Sequence, residues 1–138
     1  MIDFSYQTEF KLSCEVNISK WISDIIIAEG FSEGDISYVF CDDQFLLNIN
    51  KEFLDHDTLT DIISFDYSLG KQIHGEIYIS VERVGENAIS FDSEFNNELH
   101  RVIIHGILHY CGYKDKSETA ANVMRLKEDE ALSKRNFV

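Results

Sequence analysis

Apolar and polar positions change their period several times along the chain, and each change marks an element. Ile2 to Tyr6 alternates, as a strand does when successive side chains point to opposite faces. Between Glu15 and Glu29, Ile18, Trp21, Ile22, Ile25 and Ile26 recur every three or four residues, which predicts an amphipathic helix closed by Gly30. Asp35 to Cys41 reads as a second strand. Asp42 and Asp43 are placed to cap the next helix, with Phe45, Leu46, Ile49 and Phe53 on its buried side. A polar loop from Leu54 to Thr60 leads into a third strand, Ile62 to Tyr67. After a turn at Ser68 to Gln72, His74 to Ser80 alternates as a fourth. Val81 to Ile89 is a helix with Val84 and Ala88 facing inward. Asp92 or Ser93 caps a long helix that ends at Gly112. Ser117 caps a last helix to about Lys134, with Ala121, Met124, Leu126 and Leu132 as core contacts. This order predicts one α+β domain over residues 1–138, a four-stranded mixed sheet with about five helices.

The long helix is apolar over most of its circumference: Leu99, Val102, Ile103, Ile104, Ile107 and Leu108. Such a helix belongs in the core, which makes its two histidines conspicuous. His105 and His109 are one helical turn apart on the same face. Gly112 stops the helix by adopting the left-handed cap conformation at no steric cost, and the chain can turn back to bring Asp115 up to the imidazoles. Two nitrogens and a carboxylate oxygen are three protein ligands for zinc with a fourth position open, the composition of a catalytic site. The offsets from His105 match the metzincin spacing H-E-x-x-H-x-x-G-x-x-H with Asp in the last place. A zinc peptidase has Glu directly after the first His as general base, and here that residue is Gly106.

Composition narrows the setting. The 138 residues are 44% hydrophobic, and no apolar run approaches membrane-span length. The N-terminus lacks the features of a signal peptide, so the protein is expected in the cytoplasm with Cys14, Cys41 and Cys111 as free thiols. Cys111 points away from the ligand face and reads as a small buried hydrophobe. A net charge of −13 repels phosphates, so a nucleic-acid substrate requires a local positive cleft or delivery by a partner.

Three blocks in order resemble the YbeY family of bacterial rRNA maturation endoribonucleases. His105-Gly106-Ile107-Leu108-His109-Tyr110-Cys111-Gly112-Tyr113-Lys114-Asp115 is similar to the family motif H-G-x-L-H-x-x-G-Y-D-H. Thr60-Asp61-Ile62-Ile63-Ser64-Phe65 resembles T-D-V-L-S-F, and Gly75-Glu76-Ile77-Tyr78-Ile79 resembles G-D-I-x-I. The resemblance implies a four-stranded α+β fold and one zinc ion held by His105, His109 and Asp115. It also implies cleavage of single-stranded rRNA, in 16S 3′-end processing and ribosome quality control, with the small ribosomal subunit and ribosome-associated proteins as partners.

Two positions depart from the family pattern. Asp115 stands where the family usually has His; a carboxylate keeps the site competent for zinc and makes manganese or magnesium more competitive. Leu54 aligns with a family arginine and cannot neutralise a phosphate. Arg101, one turn before His105 on the same stripe, is the candidate replacement, weighed against an ion pair with Glu98 or Glu94. Lys114 and Lys116 are weaker candidates for backbone contacts. His56 lies in the loop the family places near the site, whereas His74 and His100 are not expected to bind metal. Met124 is read as a core contact. The expected activity is a metal-dependent endoribonuclease. The alternatives are a ribosome-assembly factor with a mainly structural metal, or a metallohydrolase of another substrate.

Overall fold

The computed structural model describes residues 1–54 and 59–138. Four strands, β1 (Ile2–Tyr6), β2 (Ser32–Cys41), β3 (Ile62–Asp66) and β4 (Gln72–Ser80), form one mixed sheet in the order β1-β2-β4-β3. β1, β2 and β4 run parallel, and β3 pairs antiparallel to β4, with Tyr38 opposite Ile77 and Ser64 opposite Ile77 on its other side. The helices are α1 (Glu15–Ala28), α2 (Asp43–Leu54), α3 (Val81–Ser90), α4 (Phe95–Tyr110) and α5 (Glu118–Ser133).

Strand alternation decides where the core lies. Ile36, Tyr38 and Phe40 of β2 and Ile73, Ile77 and Ile79 of β4 share one face, and all six are fully buried. Against them pack Ile18, Ile22 and Ile26 of α1 and the apolar residues of α4. Each such side chain contributes about 1.5–3 kcal/mol by leaving water. The Tyr38 hydroxyl is buried among them and donates to the Ile103 carbonyl at 2.8 Å. Gly106 lets α4 approach the sheet: a Cβ there would stand 3.0 Å from Ile77 Cδ1 and 3.2 Å from Ile62 Cδ1. Position 106 therefore faces the sheet, and a glutamate in its place would point into the core.

Several boundaries differ from those expected. β2 begins at Ser32, three residues before Asp35, because a register irregularity between Glu33 and Ile36 interrupts the alternation without ending the pairing. β3 ends at Asp66, and β4 begins at Gln72. The residue before α4 is Glu94; Asp92 instead takes a positive φ of 53° at the end of the preceding turn. The Asp42 carboxylate does cap α2, accepting from the Phe45 backbone at 2.9 Å.

Two helices bury a different stripe from the one expected. On α2, Leu46 and Asn50 are buried, whereas Phe45 and Phe53 are 36% and 62% exposed. This helix covers a second, smaller apolar cluster of Cys41, Leu46 and Ile63. Phe45 lies at its margin against Tyr78, and Phe53 against Phe65. On α5, Met124 and Leu132 are buried as expected, but Ala121 and Leu126 face solvent and Glu128 joins the buried stripe. No helix among the described residues is long and apolar enough to cross a membrane.

Candidate metal centre

α4 ends just beyond His109, and its termination builds the site. Gly112 takes φ 100°, the Gly112 amide donates to the His109 carbonyl at 3.0 Å, and the Tyr113 amide donates to the Leu108 carbonyl at 3.1 Å. These two bonds are a Schellman motif, which satisfies the last carbonyls of the helix and reverses the chain. The Tyr113 hydroxyl then donates to Glu29 at 2.7 Å, and Glu29 also pairs with Lys127 at 2.9 Å, so the turn is tied to both α1 and α5. The returning segment places Asp115 Oδ2 at 3.2 Å from both His105 Nε2 and His109 Nε2. The imidazole rings stand nearly perpendicular, with centroids 4.5 Å apart.

The second nitrogen of each ring is committed. His109 Nδ1 lies 2.9 Å from the Tyr113 carbonyl, which can only accept, so Nδ1 carries a proton. His105 Nδ1 lies 2.6 Å from Glu128 Oε2, and a carboxylate likewise makes it the donor. In the neutral rings both Nε2 atoms are then lone-pair donors, and they converge with Asp115 on one point. Three electron pairs at this separation repel unless a proton or a cation lies among them. Ligand atoms in a tetrahedral zinc shell with bonds of about 2.0 Å lie about 3.3 Å apart, close to the spacing found here. The donor set therefore fits a divalent metal, and it is the group among the described residues that brings three such atoms within 4.8 Å of one another.

Beside the histidines lies a cleft of about 280 Å³ whose walls include Asp61, Glu98, Arg101, His105, Asp115 and Arg125. Burial pushes the Asp61 carboxyl above its ordinary range, which the charge of His105 only partly offsets. Burial also pulls the His105 imidazole down, but hydrogen bonding and charge from Glu128, with Asp115 and Asp61, leave it raised. For Glu128 burial pushes upward, and the bonds from His105 and Arg101 win, leaving it lowered.

The Arg101 guanidinium lines this cleft, yet its partners are those of neither expectation. Nη1 donates to Glu128 at 2.9 Å and Nη2 to Asp129 at 2.6 Å, both on α5 rather than on its own helix. His100 is buried on the opposite side of α4 and accepts from Arg135 Nη1 at 2.8 Å, while the His74 ring accepts from the Asp35 amide. His56 lies outside the described residues. Leu54 ends α2, 41% exposed. The Cys111 thiol is pushed up to about 12 by burial and packs against the core, which keeps it protonated and out of the ligand set. Met124 is core, 2% exposed.

Sequence reasoning missed Glu128, the Tyr113 carbonyl and Asp61 as parts of the site. Glu128 left a faint signal: it lies at helical spacing between Met124 and Leu132, and a carboxylate on an apolar stripe requires a partner.

Residues 3–136 match the family model described as endoribonuclease YbeY. The protein of that name from Flavobacterium psychrophilum is 58% identical over 132 residues, covering 96% of this chain and 94% of the relative. Its counterpart from Porphyromonas gingivalis is 50% identical over 115 residues, covering 83% of this chain and 76% of its own. Among solved structures, the solution structure of TM1509 from Thermotoga maritima is similar with a TM-score of 0.70 at 25% identity, covering 96% of this chain and 87% of that one.

Proposed function

The chain belongs to the YbeY endoribonuclease family, and on that premise we propose that it is a zinc-dependent endoribonuclease that cuts single-stranded rRNA in the cytoplasm. The family resemblance points to the 3′ end of the small-subunit rRNA and to ribosome quality control, with the small subunit and its associated proteins as partners. The observation that carries the reading is the convergence of Asp115 Oδ2 on two histidine Nε2 atoms, each 3.2 Å away.

His105, His109 and Asp115 would hold the metal. When bound, it would supply Lewis acidity toward a phosphate oxygen and lower the pKa of water. The remaining work belongs to the protein. Glu128 and the Tyr113 carbonyl keep each Nδ1 protonated and each Nε2 available. Arg101 balances the Glu128 charge, and α4 holds both rings on a rigid support. Asp61, its carboxyl raised by burial, holds a proton on the cleft wall to higher pH than an ordinary aspartate does. The N,N,O donor set suits zinc, and the Asp115 carboxylate makes manganese a stronger competitor.

The test is cleavage of labelled single-stranded RNA by protein of known zinc occupancy, with His105→Ala in parallel. The expected outcome is cleavage by the loaded wild type and a loss of at least roughly a hundredfold in the variant. Intact RNA bound by fully loaded wild type would instead favour the assembly-factor reading.

A further inference from the structure

We propose that Arg125 is the side chain with which this cleft grips an RNA phosphate; the inference rests on the RNA-cleaving reading and adds a residue that binds the substrate. Among the described residues, two arginines line the cleft. Arg101 is spent: its side chain is 13% exposed, and Glu128 and Asp129 take its two terminal nitrogens. Withdrawing it toward a ligand would leave Glu128, itself 5% exposed, with its His105 bond but without its guanidinium partner.

Arg125 is in the opposite state. It follows Met124 on α5, is exposed, and makes no hydrogen bond or ion pair with the described residues. Its influence is felt at Glu98, where burial raises the carboxyl and Arg101 and Arg125 only partly offset that rise. A guanidinium that makes no internal hydrogen bond can turn its planar fork to a phosphate without breaking one.

The surrounding charge makes such a group necessary. Asp61, Glu98, Asp115 and Glu128 all stand in the cleft walls, and the chain as a whole carries −13. A phosphodiester approaching this region is repelled at long range, so local cations decide whether it stays. Lys114 and Lys116 flank Asp115 in sequence but do not line the cleft. Among the described residues of the cleft, Arg125 is the cation left available.

Anisotropy of a labelled single-stranded RNA oligonucleotide tests this, using zinc-loaded protein across a salt series with probe integrity checked on gels. The proteins are wild type, Arg125→Gln, Arg125→Lys and Lys20→Gln. Lys20 is an exposed α1 cation, paired with Asp24 outside the cleft, and it controls for net charge. Arg125→Gln is expected to bind roughly fivefold to tenfold more weakly. Its log–log salt slope should be shallower by about 0.7, the signature of one lost contact to a single strand. Arg125→Lys should recover part of the affinity, and Lys20→Gln should match wild type. Zinc affinity and melting temperature should be unchanged in Arg125→Gln, which a structural role would not allow. Wild-type binding with no loss in Arg125→Gln, or an equal loss in Lys20→Gln, overturns the assignment and leaves the RNA reading standing. Loaded wild type that binds no RNA overturns both.

Discussion

His105 and His109 have the same neighbour at Nε2 and different ones at Nδ1. His109 is held by a backbone carbonyl that no side-chain substitution removes, and His105 by a carboxylate from a helix packed alongside. That difference makes Glu128 the adjustable part of the site. Glu128→Gln removes the charge that fixes the His105 tautomer and sets an amide against Arg101. Zinc affinity, measured by competition with a chelating dye, should fall roughly 10–100-fold. A variant within twofold of wild type would show that Asp115 and the ring contacts orient His105 unaided.

At the scale of an element, α4 does two jobs that compete for its surface. Most of its circumference is buried against the sheet, α3 and α5, while one stripe must stay open to hold ligands. Gly106 reconciles these demands, since its missing side chain lets the helix lie against Ile77 and Ile62 directly behind His105. Gly106→Glu would recreate the zinc-peptidase spacing in sequence, but its carboxylate would enter the apolar layer. We expect destabilisation of about 3 kcal/mol or more, read as a lower urea midpoint. A midpoint equal to that of wild type would mean that the helix can rotate position 106 toward the cleft.

At the scale of the whole molecule, α4 and the C-terminal segment meet at a histidine unrelated to the metal site. His100 is 5% exposed and accepts from Arg135, so a proton on its Nδ1 would break that bond and place two positive charges together. Burial, and then Arg135, lower its pKa from 6.5 to about 4. The unfolded chain therefore binds this proton first. The stability that neutral His100 contributes is complete above about pH 6.5 and is lost as pH falls toward 4. The slope is about 1.4 kcal/mol per pH unit, on the order of 3 kcal/mol in total. Stability curves for wild type and His100→Asn should diverge across that window, the variant lacking this component. Parallel curves would show that the histidine stays neutral in both states or charged in both.

Much of this protein follows from local rules that a sequence displays. The strands and helices were legible because apolar residues recur at two or at three to four positions. The histidine pair and Asp115 were legible because one helical turn and one glycine-capped reversal bring them together within eleven residues. Periodicity could not decide how much of an apolar stripe would find a partner. Phe45 and Phe53 of α2 and Leu126 of α5 carry the right spacing and remain exposed, because the sheet and α4 offer each helix only a narrow line of contact. Nor could it pair residues far apart in sequence. Glu128 reaches His105 across 23 positions, and Arg101 finds its acids 27 and 28 positions away rather than on its own helix. The ligand trio is a property of one helix and its cap, whereas the tautomer lock, the role of Gly106 and the cation left free in the cleft arise only from the docking of α5 and the sheet around α4.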